Sequence, residues 1–168
     1  MKRITIYIIT LFLLSLTVCS CSQSTKSAEQ LLAAVMQDVS NLPAGNVRIL
    51  GTPEYDQHYL PISLLRVMLS SSEQFDEEKN IRELALFLSN TDELCEIAIF
   101  CADSSSSAED IAVLCLKRAD MLKSSPSLSK ENKEIAESSR IILHGRYLLY
   151  VVAKNGDEIA ETFRASLP

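Results

Sequence analysis

Lys2 and Arg3 precede fifteen residues, Ile4 to Val18, that carry no charge, and this segment divides the chain into two parts with different fates. A membrane-spanning helix needs about 20 apolar residues, whereas the core of an export signal needs about 7–15. The positive start, the short apolar core and the small residues after it fit an export signal. The plainer alternative is a buried N-terminal helix, but no polar face breaks the run. Residues 1–20 are therefore expected to be an address, removed before the remainder folds.

The residues just beyond the core narrow the address. Val18-Cys19-Ser20-Cys21 resembles the lipobox of bacterial lipoprotein signals, in which an aliphatic residue sits three before the cysteine and a small one just before it. The resemblance implies cleavage before Cys21 and a diacylglycerol on its sulfur. Val18, Ser20 and Cys21 match, while Cys19 is unusual at the middle position. The rival frame ends at Cys19 and puts bulky Val18 where a small residue belongs, so Cys21 is preferred. Plain secretion with cleavage nearby is the other alternative. Two acyl chains, at about 0.8 kcal/mol per buried CH₂, anchor stably.

Cleavage there leaves 148 of the 168 residues and takes the formal charge from −6 to −8. An acidic body does not favour anionic lipid, and nucleic-acid binding runs on clustered Lys and Arg. The expected partners are the membrane, through the lipid, and an unidentified envelope protein or ligand, with no nucleic acid. The expected location is the outer face of the cytoplasmic membrane. The polar tether, residues 21–26, reaches less than about 20 Å. It holds the body close to the bilayer.

Residues 27–168 read as one domain, apolar enough to be globular. Ser27-Ala28-Glu29-Gln30 forms a capping box ahead of a helical stripe from Ala28 to Val39, which Pro43 and Gly45 stop. A short strand is expected around Val47–Leu50. Pro61 suits the first turn of a helix carrying Ile62, Leu65, Met68 and Leu69. Ser70 to Lys79 reads as a polar, acidic loop. Leu84–Leu88 and Leu94–Cys101 read as two strands joined by a short loop. Ser106-Ser107-Ala108-Glu109 reads as a second capping box, for a helix over about 107–122. A polar helix is expected over Lys130–Ser138. Ile141–Leu143 and Tyr147–Val152 flank Gly145 as a hairpin, and Asn155 starts a last helix. The fold class is α+β: a two-layer sandwich in which an antiparallel or mixed sheet of about four strands carries the helices.

Three segments recur in order: Cys95-Glu96-Ile97-Ala98-Ile99-Phe100, Leu116-Lys117-Arg118 and Gly145-Arg146-Tyr147-Leu148-Leu149. This pattern resembles the bacterial domain-of-unknown-function family 4358, over roughly Ser27 to Leu167. The resemblance implies an extracytoplasmic lipoprotein and supplies no active site to carry over.

Few residues point to chemistry. Glu96 interrupts the most apolar strand and must be paired, hydrogen-bonded or protonated. It is a candidate polar site with Arg146, or an edge-facing carboxylate in a structural ion pair. Cys95 and Cys101 fall on one strand face. With Cys115 they are expected to be buried thiols, a Cys101–Cys115 disulfide being the alternative. His58 and His144 read as surface residues. Asp76-Glu77-Glu78 reads as a solvated acidic run. Asp103 and Ser104–Ser107 read as a helix cap. Tyr55, Tyr59, Leu64, Leu65 and Met68 belong to a segment more apolar than one helix face needs, and they either cover the sheet or form a partner surface. No catalytic constellation, cofactor site or metal site is expected. The leading functional expectation is a non-enzymatic binding module at the envelope. The alternatives are an envelope hydrolase using a carboxylate such as Glu96, and a solute-capturing lipoprotein.

Overall fold

A computed structural model describes residues 25–69 and 80–168. The segment expected to be an export signal, with Cys19 and Cys21, most of the expected tether, and the expected acidic loop with Asp76-Glu77-Glu78 lie outside the described residues.

Ser27 opens the body with the expected capping box. Its hydroxyl accepts from the Gln30 amide at 3.1 Å, and the Gln30 side chain accepts from the Ser27 amide at 3.0 Å. Amides that a helix start leaves unpartnered are satisfied this way. Helix α1, Ala28–Asp38, buries Ala28, Leu31, Leu32 and Val35 on one stripe. It ends before Pro43 and Gly45 rather than at them. Gly45 instead begins strand β1, Gly45–Ile49. A Cβ there would lie 2.5 Å from the Leu88 carbonyl oxygen, so the close approach of β1 to its neighbour requires glycine.

Helix α2, Ile62–Leu69, starts just after Pro61. Strand β2, Ile81–Ser89, and strand β3, Glu96–Ala102, come next, as expected. Helix α3 runs over Ser105–Ser124. Its cap is Ser104, whose hydroxyl accepts from the Ser107 amide at 3.0 Å, two residues before the expected box at Ser106. Helix α4, Lys130–Glu137, is capped by Ser129. Strands β4, Arg140–His144, and β5, Tyr147–Val152, form the expected hairpin, with Gly145 at φ 57°. Positive φ at the first of two turn residues is the type II′ geometry that favours glycine. Helix α5, Gly156–Ser166, closes the fold.

The sheet has the order β1-β2-β3-β5-β4, and every neighbouring pair is antiparallel. The α+β reading stands, with the short strand near Val47 as the fifth. Alternate strand residues face opposite sides. Leu84, Leu86, Ala98, Phe100, Leu148 and Tyr150 pack with α2, α3 and α4. Ala85, Phe87, Ile97, Ile99, Leu149 and Val151 pack with α1 and α5. Helices therefore cover both faces, and the layers number three rather than two. The cause is that β2, β3 and β5 are apolar at both parities, so neither face can be left to water.

The strands define two ends. At one, Ile81 pairs with Ala102 and His144 with Tyr147. At the other lie Gly45, Ser89, Glu96, Val152 and Arg140. The chain enters at the first. The Lys26 ammonium donates to the Ser166 carbonyl at 2.7 Å, the Tyr147 hydroxyl donates to the Lys26 carbonyl at 3.0 Å, and the Ala28 amide donates to Glu83 Oε2 at 2.9 Å. Residues 26–28 thus form a strap fastened to the strap end; the opposite end is the far end.

Candidate functional site

Glu96 is the first residue of β3 and lies at the far end. Its parity is that of Ala98 and Phe100, so its side chain enters the layer occupied by α3. Arg118 stands on the inward stripe of α3, three residues after buried Cys115. The two meet as a fork: Arg118 Nη2 donates to Glu96 Oε1 at 2.5 Å and Nε donates to Oε2 at 3.2 Å. The Tyr150 hydroxyl on β5 donates to Glu96 Oε2 at 3.2 Å. The Glu96 side chain is 7% exposed and that of Arg118 is 19%. A paired arrangement of this kind offsets the cost of burying two charges.

The electrostatics arise from that geometry. Burial pushes the Tyr150 phenol far above its ordinary value, and the Glu96 carboxylate adds to the shift. Burial alone would lower Arg118, but the hydrogen bond and charge of Glu96 outweigh it and leave the guanidinium raised. Tyr150 therefore stays protonated and Arg118 stays charged at neutral pH. Glu96, engaged by both, has little freedom to act as a base or nucleophile.

Two concavities open at the far end, one of them against Glu96. One of about 320 Å³ is lined by Ser89, Thr91, Glu93, Glu96, Leu128 and Asn132, among others. A second, of about 380 Å³, shares Glu93 and adds Ser40, Asn41, Lys154, Asn155 and Glu158. Two asparagines hold the rim together. Asn132 accepts from the Leu94 amide at 2.9 Å and donates to the Asp92 carbonyl at 2.8 Å, fixing the β2–β3 loop to α4. Asn155 donates to the Ser40 carbonyl at 3.1 Å, fixing the loop after α1 to the start of α5.

The expected pairing of Glu96 with Arg146 does not occur. Glu96 sits in the central strand, not at an edge, and Arg146 lies in the β4–β5 turn at the strap end, over the Tyr147 ring at 6.0 Å. Arg118 and Tyr150 are the partners that sequence reasoning missed. A signal existed for each: an arginine on an apolar helix stripe, and a tyrosine inside an otherwise aliphatic strand.

Among the described residues, Cys95, Cys101 and Cys115 are buried free thiols, and burial pushes Cys95 up to about 12 and raises Cys101 and Cys115 as well. Cys95 and Cys101 share one apolar layer, whereas Cys115 lies in the other. The sheet stands between Cys101 and Cys115, which excludes the disulfide alternative. His144 ends β4 at the strap end. His58 is half-buried beside β1, with Nδ1 3.2 Å from the Val47 carbonyl. Among the described residues, neither histidine is bonded to the Glu96 cluster. Ser104 caps α3, and Ser105–Ser107 form its first turn. Among the described residues no group of three or more His, Cys, Asp and Glu is placed to hold a metal ion.

The apolar segment at Tyr55–Leu69 divides. Leu65 and Met68 are core residues, and Leu64 packs partly buried against them. Tyr55 is 92% exposed. Tyr59 is half-buried, its hydroxyl 3.4 Å from Glu54 Oε1. The five residues do not form a single surface, because one helix turns Leu65 and Met68 inward while Tyr55 stands on the preceding loop.

No protein-family model, curated protein or solved structure matches the chain. The resemblance to family 4358 thus rests on the three quoted segments. They fall on β3, the C-terminal half of α3, and the β4–β5 hairpin.

Proposed function

We propose that the protein is a lipid-anchored extracytoplasmic module that binds a partner at the far end of its sheet and catalyses no reaction. The observation that carries the reading is the strap. Thr25 lies four residues after Cys21, a reach of about 14 Å at most. With residues 26–28 fastened at the strap end, a lipid on Cys21 keeps that end against the bilayer. The nine residues of β2 then lift the far end by about 30 Å. In this orientation the concavities and their rim point away from the membrane, where an envelope partner can reach them.

The absence of catalysis is supported by the chemistry of the same region. The buried carboxylate is paired with Arg118 and accepts a hydrogen bond from Tyr150, the thiols are held protonated, and the two histidines lie elsewhere. The hydrolase alternative needs Glu96 to be free, and the fork from Arg118 opposes that. Among the described residues no helix is long and apolar enough to cross a membrane, so attachment in this reading depends on the lipid.

Site-specific photo-crosslinking in native membranes tests the orientation. A probe replacing Asn90, at the far end, is expected to yield protein adducts. A probe replacing Asp103, at the strap end, is expected to yield lipid adducts. The reverse pattern contradicts the reading.

A further inference from the structure

We propose that strand β4 is a docking edge for an extended, acid-flanked segment of a partner protein, which adds to the sheet as a sixth strand. The two edges of the sheet are finished differently. The β1 edge is covered by its own chain: the Ile49 amide donates to the His58 carbonyl at 2.7 Å, Ile49 bridges Tyr59, and Arg48 Nη1 donates to the Gln57 carbonyl at 3.0 Å. Among the described residues, nothing covers the β4 edge in this way. His144 and Tyr147 flank a two-residue turn, so they and alternate pairs beyond them carry the β4–β5 hydrogen bonds. Ile141 and Leu143 therefore direct their amides and carbonyls outward, and no bond among the described residues uses them. These two residues supply two donors and two acceptors in the spacing an added strand requires.

The side chains state the chemistry of the occupant. Ile141, Ile142 and Leu143 are consecutive apolar residues on an edge, a position that proteins usually protect. Leu143 is 45% exposed. Arg140 and His144 flank them; Arg140 is already paired with Asp157 at 2.9 Å, whereas Arg146 lies in the turn, and the stretch from Arg140 to Arg146 contains no acid. A segment with apolar residues at alternate positions and a carboxylate at the end that meets Arg146 complements this edge; an acid at each end meets that requirement in either strand direction.

A second copy does not fit as well. Antiparallel self-pairing of β4 about Ile142 would place the strap end of one molecule beside the far end of the other. Both lipids could not then enter one bilayer through so short a tether. This choice of occupant rests on the anchored reading, whereas the open edge itself does not.

The test uses the full chain in detergent and a fluorescent peptide, Glu-Val-Thr-Val-Thr-Val-Glu. Leu143→Pro removes only an outward amide, a change tolerated at edge positions. Leu143→Lys keeps the backbone and adds a repelling charge. Wild type is expected to raise the peptide's anisotropy at micromolar to sub-millimolar concentrations. Both variants should weaken binding at least about tenfold, and so should N-methylation of the peptide at alternate residues. Unchanged binding by the variants or by the methylated peptide overturns the proposal. So does an absence of wild-type binding below about 1 mM. A full chain that runs as a dimer, and as a monomer after Leu143→Pro, assigns the edge to self-pairing and also overturns it. If the peptide binds as expected but Cys21 carries no lipid, the anchored reading fails and the edge stands.

Discussion

Arg118 on α3 reaches across to Glu96 at the start of β3, Nη2 to Oε1 at 2.5 Å and Nε to Oε2 at 3.2 Å. This fork joins a helix of one layer to the central strand of the sheet, and Tyr150 ties β5 to the same carboxylate. Removing one partner leaves a largely buried opposite charge. Glu96→Gln is expected to cost about 2–4 kcal/mol in urea unfolding. Replacing all three groups together, as Glu96→Met, Arg118→Met and Tyr150→Phe, should recover most of that loss. A single substitution with no effect on the midpoint would show that the cluster contributes nothing to stability.

Buried thiols and the Tyr150 phenol give an alkaline dependence. Thiols and phenols are neutral when protonated, and folding raises Cys95, Cys115 and Tyr150 from ordinary values of 9.0, 9.0 and 10.0. Their contribution to stability is complete below those values. It falls as the pH rises, because the unfolded chain ionises first. The melting temperature should drop steadily from about pH 9, where the unfolded thiols ionise, towards about pH 12, where Cys95 ionises in the folded chain. Tyr150→Phe should flatten the part of that decline above pH 10, the phenol's ordinary value. A melting temperature that holds constant over this range would contradict the burial of these groups.

Cys95, Cys101 and Cys115 should resist an aromatic disulfide reagent in the native protein and react fully in denaturant. Reduction beforehand should not change the number that react. A gain of two thiols on reduction would reveal a bridge and contradict the placement of Cys101 and Cys115 on opposite faces of the sheet.

Gly45→Ala should destabilise by about 1–3 kcal/mol, because the new methyl meets the Phe87 ring and the Leu88 carbonyl where β1 joins β2. Gly156→Ala is the control: its added carbon finds only the Ser138 carbonyl oxygen, at 3.9 Å. Equal midpoints for the two variants in urea would refute the tight β1–β2 approach.

Local signals carried much of this fold. The Ser27–Gln30 box, the Ala108–Leu122 stripe and the Gly145 turn each act within a few residues, so spacing alone reveals them. What escaped depends on distant chain segments. The cap of α3 shifted to Ser104 because four consecutive serines offer equivalent hydroxyls, and the end of β3 decides among them. The partner of Glu96 is 22 residues away, and only the packing of α3 on one face selects Arg118 over Arg146. Arg146 lies beyond Tyr147, which pairs with Cys101, about 17 Å along the strand from Glu96. The third layer was encoded in strands apolar at both parities, but which helices cover which face is a property of the whole chain. The far-end concavities join residues from Ser40 to Glu158, a grouping that no local pattern announces.

The anchored reading depends on one sulfur. Growing the producing cells with radiolabelled palmitate and recovering the chain from membranes measures it directly. Label is expected on the wild type and on Cys19→Ala, and none on Cys21→Ala. Unlabelled wild-type protein, found in the cytosol with residues 1–20 still attached, would contradict lipidation at Cys21 and the orientation built on it.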